Sequence, residues 1–188
     1  MKRVCGLLVV TIVLGAGCNR AETPEEAPTQ APAATAPAEP RAYANLAQLM
    51  QAIPFPASNI IFDTQTTDPG AVKDPGDTSG AGATAQFSGV YGGWLAVENA
   101  ARALQETANL ITIPGRTCQN GKPVPVDQED FRKWAANLAD AGAAALKAAQ
   151  SKNLDAMVEV SGTVSDACAM CHEKYRDTPN QPTDRCTP

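Results

Sequence analysis

The sequence has few aromatic residues, few basic residues and no long apolar run, and these shortages limit the kind of protein that it can encode. Only 5% of its 188 residues are aromatic, so a core built from this chain alone would be thin. Fifteen Lys and Arg stand against 20 Asp and Glu, a balance that argues against a nucleic-acid-binding protein. We find no strand pattern of alternating apolar and polar residues, which leaves a helical chain.

The first eighteen residues have the pattern of an export signal. Lys2 and Arg3 precede an apolar stretch too short for a membrane-spanning helix, which needs about twenty residues. Small residues directly before Cys18 resemble the lipobox of bacterial lipoproteins, in which the cysteine is acylated. We expect a signal peptide over residues 1–17 and a periplasmic, membrane-anchored lipoprotein lipidated at Cys18. An ordinary signal peptide cut near the same place is the alternative.

Residues 18–41 form a segment of a different composition. Beyond the cysteine they are almost entirely Ala, Pro, Glu and Thr, with no aliphatic side chain larger than Ala to bury. This composition is typical of disordered linkers, and its prolines keep it semi-extended. We expect a tether that holds the domain of residues 42–188 away from the membrane.

The domain contains four segments with apolar residues at helical spacing. The first begins at Tyr43 and is interrupted by Pro54 and Pro56, each of which removes an amide donor. A loop rich in glycine and proline, residues 63–87, separates it from the second helix, which spans about residues 88–111.

The third and fourth predicted helices are joined by a short turn at residues 151–153, which permits only antiparallel neighbours. Asp127 is expected to cap the third helix and Asn153 the fourth, which runs to Asp177. These four helices predict an all-α, antiparallel up-down-up-down four-helix bundle.

Near its end the fourth helix carries the sequence CAMCH, residues 168–172, a CxxCH motif. This spacing attaches haem through two thioethers while the next residue ligates the iron. We therefore expect one covalent haem c on Cys168 and Cys171, with His172, the single histidine of the chain, on the metal. A thioredoxin-like dithiol and a zinc site are the alternatives, but the first normally opens a helix after a strand and the second needs a fourth ligand.

The motif continues through Tyr175 and Arg176 as CxxCHxxYR. With this pattern at the end of its fourth helix, the chain resembles the class II c-type cytochromes, the cytochrome c-prime family, over about residues 42–178. The resemblance implies that Arg176 lies beside the haem, where a guanidinium neutralises a propionate or holds the ring. A solvated arginine favoured by the helix dipole is the alternative. A homodimer through the first two helices is a habit of the family.

The second axial position of the iron decides the function. Met50 and His172 lie about 12 Å and about 8 Å from the same end of the bundle, so Met50 is the candidate sixth ligand, and a core methionine is the alternative. Relatives with methionine on the first helix are six-coordinate electron carriers, whereas those with an apolar residue leave the iron open to small gases. Phe55 is expected to cover the distal face. The other expected pocket walls are Leu104, Phe131 and Trp134.

Two further cysteines lie at the same end of the predicted bundle. Cys118 is in the loop between the second and third helices, and Cys186 is in the tail after the fourth. An oxidising compartment favours a disulfide between them, and two separate thiols are the alternative.

The sequence therefore predicts an exported electron carrier that serves redox partner proteins and is not an enzyme. A five-coordinate haem protein that binds nitric oxide or carbon monoxide is the second hypothesis. A structural subunit docked in a larger respiratory complex is the third.

Overall fold

The structure, a computed structural model, describes residues 39–71, 92–177 and 182–187. The predicted signal peptide and Cys18 lie outside these residues, as do nearly all of the tether and most of the loop after the first helix. The described part contains five α-helices, namely α1 (Leu46–Ala52), α2 (Pro54–Asp63), α3 (Gly93–Ile111), α4 (Glu129–Gln150) and α5 (Leu154–His172). Within it, no helix is long and apolar enough to span a bilayer.

The helices pack as a four-helix bundle whose first position is shared by α1 and α2. Helix α3 packs against α4, α4 against α5, and α2 against both α3 and α5. The described residues contain no β-strand, only an isolated bridge between Thr117 and Pro123. The predicted all-α four-helix architecture is confirmed.

The break in the first helix falls at Ile53, where the two prolines predict it. Asn45 begins α1 with a reciprocal cap, because its side chain accepts a hydrogen bond from the amide of Gln48 while the Gln48 side chain accepts one from the amide of Asn45. Pro54 opens α2, a position at which the missing N–H has no helical partner to lose. The chain therefore turns between two short helices, and Pro54 costs neither of them a backbone hydrogen bond.

Three predicted helix starts are wrong by a few residues. Helix α3 begins at Gly93 instead of at about residue 88. Helix α1 begins at Leu46, and the side chain of Tyr43 is 90% exposed instead of lying on the buried face. Helix α4 begins at Glu129 with Gln128 at the N-cap position, so Asp127 does not cap it. The backbone oxygen of Asp127 instead accepts a hydrogen bond from the side chain of Arg132.

The turn between α4 and α5 is built as the sequence predicts. The side chain of Asn153 caps α5 by accepting a hydrogen bond from the amide of Ala156 at 3.0 Å. Beyond His172 the α-helix continues as a five-residue π-helical turn, Glu173–Asp177. This wider turn directly follows the CxxCH motif, and we call residues 173–177 the π-turn.

The main core lies between α2, α3, α4 and α5 and is made largely of alanine, with Ile61, Leu104 and Met157 as its largest fully buried aliphatic side chains. Small residues let α3 and α4 approach closely. A Cβ added at Gly142 would lie 2.9 Å from the side chain of Gln105 and 3.0 Å from the backbone oxygen of Ala101. A smaller cluster lies where the π-turn, the loop before α4 and the C-terminal tail meet, and it contains Cys118, Val124, Phe131, Tyr175 and Cys186.

Candidate functional site

A cavity of about 740 Å³ lies at the end of the bundle where α5 stops. Its volume is within the range of about 300–1,000 Å³ that ligand and cofactor sites span. The sulfur-bearing residues Cys168 and Cys171 line it together with His172. Apolar side chains of α1, α2 and α4 form a large part of the remaining wall, among them Leu46, Phe62, Phe131 and Trp134.

Cys168 and Cys171 are free thiols and are partly buried. Burial raises the pKa of Cys168, and burial raises the pKa of Cys171 to about 11, with the negative charge of Asp130 adding to that shift. A reactive dithiol requires a lowered thiol pKa. The environment of this pair is therefore unlike that of a thioredoxin-type redox site.

The two other cysteines among the described residues, Cys118 and Cys186, are not available as further zinc ligands because they form a disulfide. Cys118 and Cys186 are bonded to each other across 68 positions of sequence, with their Cα atoms 6.4 Å apart. No group of three or more His, Cys, Asp and Glu side chains arranged to hold a metal ion occurs in the described part of the chain.

His172 is partly buried at the wall of the cavity. Burial lowers the pKa of its imidazole, and the neighbouring positive charge of Arg176 lowers it further. At neutral pH the ring is therefore in its uncharged form, in which one nitrogen carries a free lone pair. This is the form that ligates iron.

Asp130, in the first turn of α4, ties the π-turn to the body of the bundle. One of its carboxylate oxygens accepts a hydrogen bond from Tyr175 Oη at 2.8 Å, and the other forms a salt bridge with Lys174 Nζ. These two bonds, from Lys174 foremost, hold the pKa of Asp130 below its usual value. The tyrosine ring also meets Phe131 and Trp134 edge to face, with centroids 5.4 and 5.8 Å away. Nothing in the sequence near Asp130 indicates this contact with a residue 45 positions away.

The loop before α4 and the C-terminal tail close the same end of the bundle. Cys186 donates a backbone hydrogen bond to Tyr175 O at 2.9 Å, and Asn120 Nδ2 donates to the backbone oxygens of Thr183 and Arg185, each at 2.9 Å. Cys118, Arg185 and Cys186 all line the cavity. The disulfide and these hydrogen bonds therefore fix the tail as one of its walls.

Arg176 lines the cavity, and its guanidinium has a carboxylate partner on the next residue. Nε and Nη2 donate to the two carboxylate oxygens of Asp177 at 2.6 and 2.8 Å. This pairing lowers the pKa of Asp177. Half of the Arg176 side chain is exposed, so the pair lies at the rim of the cavity.

Four of the expected pocket residues lie on α1, α2 and α4, and all four line the cavity: Met50, Phe55, Phe131 and Trp134. Phe55 is 64% exposed and therefore lies at the mouth. Met50 has a second set of contacts, because it also packs against the apolar cluster of Leu49, Ile111 and Ala135.

Leu104 is not a wall of the cavity, and this expectation is wrong. Its side chain is fully buried in the main core. Ile111, two turns farther along the same stripe of α3, lines the cavity instead. Seven residues of helix are about 10 Å, so the sequence identified the correct face of α3 but the wrong level.

A protein-family model described as Cytochrome C' matches residues 122–176. The matched segment contains α4, α5 and most of the π-turn, and therefore the whole CxxCH motif. No curated protein and no solved structure matches the chain significantly. The half of the bundle that carries the motif is thus similar to the cytochrome c′ family, a likeness that indicates a haem-binding c-type cytochrome.

Proposed function

We propose that this protein is a c-type cytochrome that holds one haem through thioether bonds to Cys168 and Cys171, with His172 as the proximal ligand, and transfers single electrons outside the cytoplasm. The observation that carries the proposal is the presence of both thiols and the imidazole on the wall of one apolar cavity. When bound, the haem would supply an iron that changes between the ferric and ferrous states.

The residues of the chain are suited to this role. The neutral imidazole of His172 offers a lone pair to the metal, and the thiols are protonated and partly buried beside it. The largely apolar lining would give an iron centre surroundings of low polarity, which influence its reduction potential. The bonds from Asp130 to the π-turn hold the chain just after His172 in place.

The choice between carrier and gas binder depends on Met50. Its place on the cavity wall supports a thioether on the iron, and hence the electron carrier. Its packing against Leu49, Ile111 and Ala135 supports the second candidate, a five-coordinate haem protein that binds nitric oxide or carbon monoxide, because the same methionine also serves as apolar filling.

We further propose that the protein is exported, anchored to a membrane by a lipid on Cys18, and free of substrate turnover. The N-terminal sequence supports export and acylation. The disulfide between Cys118 and Cys186 supports a location outside the cytoplasm, since disulfides persist in oxidising compartments. Its partners would then be redox proteins of that compartment, with a homodimer as the assembly that the family resemblance implies.

Expression of the full chain in a host that attaches haem tests the proposal. The mature protein should carry the mass of one porphyrin, and in the reduced state it should show sharp low-spin bands that do not respond to carbon monoxide. Broad bands that shift with the gas would favour the second candidate. A colourless polypeptide of unmodified mass would overturn both. The double variant Cys168→Ala/Cys171→Ala is the control, because it retains His172 but has no thiol to attach.

A further inference from the structure

Arg185, in the C-terminal tail, carries a buried polar atom that has no partner among the described residues. Its Nε is inaccessible to solvent and has no hydrogen-bond acceptor within reach. No other buried side-chain nitrogen or oxygen among the described residues lacks a partner in this way. The residue lines the cavity with the CxxCH motif. Native structures rarely retain an unsatisfied buried donor, least of all on a charged group, unless it binds something.

The backbone around Arg185 is fixed on both sides. Its own carbonyl oxygen accepts a hydrogen bond from Asn120 Nδ2 at 2.9 Å. The next residue, Cys186, is bonded to Cys118 and donates its amide to Tyr175 O at 2.9 Å. The guanidinium therefore extends from a rigid support, and it is not a group that a flexible tail carries past the cavity by chance.

The carboxylate of Asp177, which is affected by the charge of this guanidinium, already has another partner. Arg185 contributes to the lowered pKa of Asp177, but less than Arg176, which holds both carboxylate oxygens of Asp177 at 2.6 and 2.8 Å. Of the two arginines that line the cavity among the described residues, Arg176 is thus engaged with a protein carboxylate, whereas Nε of Arg185 has the capacity to bind one more acceptor.

We propose that Arg185 is a binding residue for an acidic group of the molecule that fills the cavity, and that under the function proposed above, on which this inference rests, this group is a haem propionate. A guanidinium presents parallel N–H donors at the spacing of the two oxygens of a carboxylate, so the pairing satisfies the buried donor and neutralises the acid. The disulfide between Cys118 and Cys186 would then hold Arg185 in the position from which it binds the propionate.

The test is the pH dependence of the reduction potential in the haem-loaded full chain, measured for the wild type and for Arg185→Gln. An opposite charge in contact lowers the pKa of a carboxyl group by about 1–3, so in the variant the propionate titration should move up by about one pH unit or more. At neutral pH the variant should also have the lower potential, because losing a positive charge near the iron favours the ferric state. Glu173, Arg176 and Asp177, the other charged residues that line the cavity beside His172, are the same in both proteins.

Two further variants make the comparison specific. Arg102→Gln removes an arginine that is paired with Glu98 on the exposed face of α3, outside the cavity, and should leave the profile unchanged. Arg185→Lys keeps the charge but loses the bidentate contact, so the pKa of the propionate in this variant should lie between those in the wild type and in Arg185→Gln. If Arg185→Gln does not fold, the comparison of Arg185→Lys with the wild type still tests the contact.

Failure of this inference differs from failure of the proposed function. If wild-type protein carries haem but the profiles of both Arg185 variants coincide with its own, Arg185 binds no propionate, and the cytochrome assignment stands. If the wild type carries no haem, the proposed function is wrong, and the proposed propionate contact falls with it.

Discussion

Tyr175 and Asp130, 45 positions apart in the sequence, are joined by a hydrogen bond of 2.8 Å between the phenol hydroxyl and the carboxylate. The bond links the π-turn after the CxxCH motif to the first turn of α4. Tyr175 lies three residues beyond His172, so the contact restrains the stretch of chain that positions the imidazole. The Y of the CxxCHxxYR pattern therefore has a structural task of its own in this chain.

Replacing Tyr175 by Phe should lower the free energy of unfolding by about 1 kcal/mol. The variant loses the hydroxyl that reaches Asp130 but keeps the ring that packs on Phe131 and Trp134. Urea denaturation measures the change. Tyr43→Phe is the matched control, because Tyr43 is 90% exposed and the same deletion there should change stability by less than about 0.5 kcal/mol. Equal effects at the two positions would contradict the role of the hydroxyl.

The Asp130 carboxylate should make the protein sensitive to acid. Hydrogen bonds from Lys174 and Tyr175 hold its pKa in the folded state below the value of about 3.9 of an unfolded chain. A lowered folded pKa gives stability that is fully present above pH about 4 and is lost as the pH falls through the folded pKa. Urea denaturation between pH 7 and pH 2.5 should therefore show a smaller acid-dependent loss for Asp130→Asn than for the wild type.

Asp140→Asn is the control for this measurement, because it removes one negative charge from an exposed position of the same helix. Its stability should fall with acid as that of the wild type does. If Asp130→Asn follows the wild-type curve over the whole range, the carboxylate is not a source of acid sensitivity.

Leu104→Ala should destabilise the fold without changing the cofactor site. Leu104 is fully buried in the main core, and truncation of such a leucine costs about 2–5 kcal/mol. Leu95→Ala on the same helix, where the side chain is 40% exposed, should cost much less. Thermal or urea unfolding gives the difference. Because Leu104 is not on the cavity wall, the visible spectrum of the folded variant should equal that of the wild type; a spectral shift would place it at the site after all.

Much of this architecture was predictable because a packed helix has apolar residues at regular three- and four-residue spacing in its sequence. The break at Ile53 followed from Pro54 and Pro56, and the cap of α5 followed from Asn153. The CxxCH motif marked the helix that lines the cavity, since its spacing by itself puts the sulfurs and the imidazole close together. These are local signals, and each was read from a few adjacent residues.

The features that the sequence did not reveal depend on contacts between distant segments. Periodicity identifies the buried face of α3 but not the level at which it meets the cavity, which is why Leu104 was expected where Ile111 lies. Nothing near Asp130 indicates that Tyr175 will reach it, and nothing near Arg185 indicates that its Nε will be buried. Such pairings are set by the packing of the whole bundle.

The disulfide between Cys118 and Cys186 should contribute to stability through the loop that it closes. Disulfides typically contribute about 2–4 kcal/mol, and a loop as long as this one, 68 positions, favours the upper end of that range. We expect the double variant Cys118→Ser/Cys186→Ser to lose a free energy of unfolding of this size in urea. Dithiothreitol should reduce the stability of the wild type in the same way and leave the double variant unchanged. A wild type that unfolds at the same urea concentration with and without the reductant would contradict this.

If the protein is the proposed electron carrier, replacing Met50 by Leu should turn it into a gas binder. The substitution conserves the volume that packs on Leu49 and Ile111 but removes the only thioether that lines the cavity within the described residues. Under the proposed function, the reduced haem-loaded variant should lose its sharp low-spin bands and respond to carbon monoxide. Met157→Leu makes the same exchange in the main core, where Met157 is fully buried, and should leave the spectrum unchanged. If Met50→Leu also keeps the wild-type spectrum, Met50 is apolar filling and the iron has no methionine ligand.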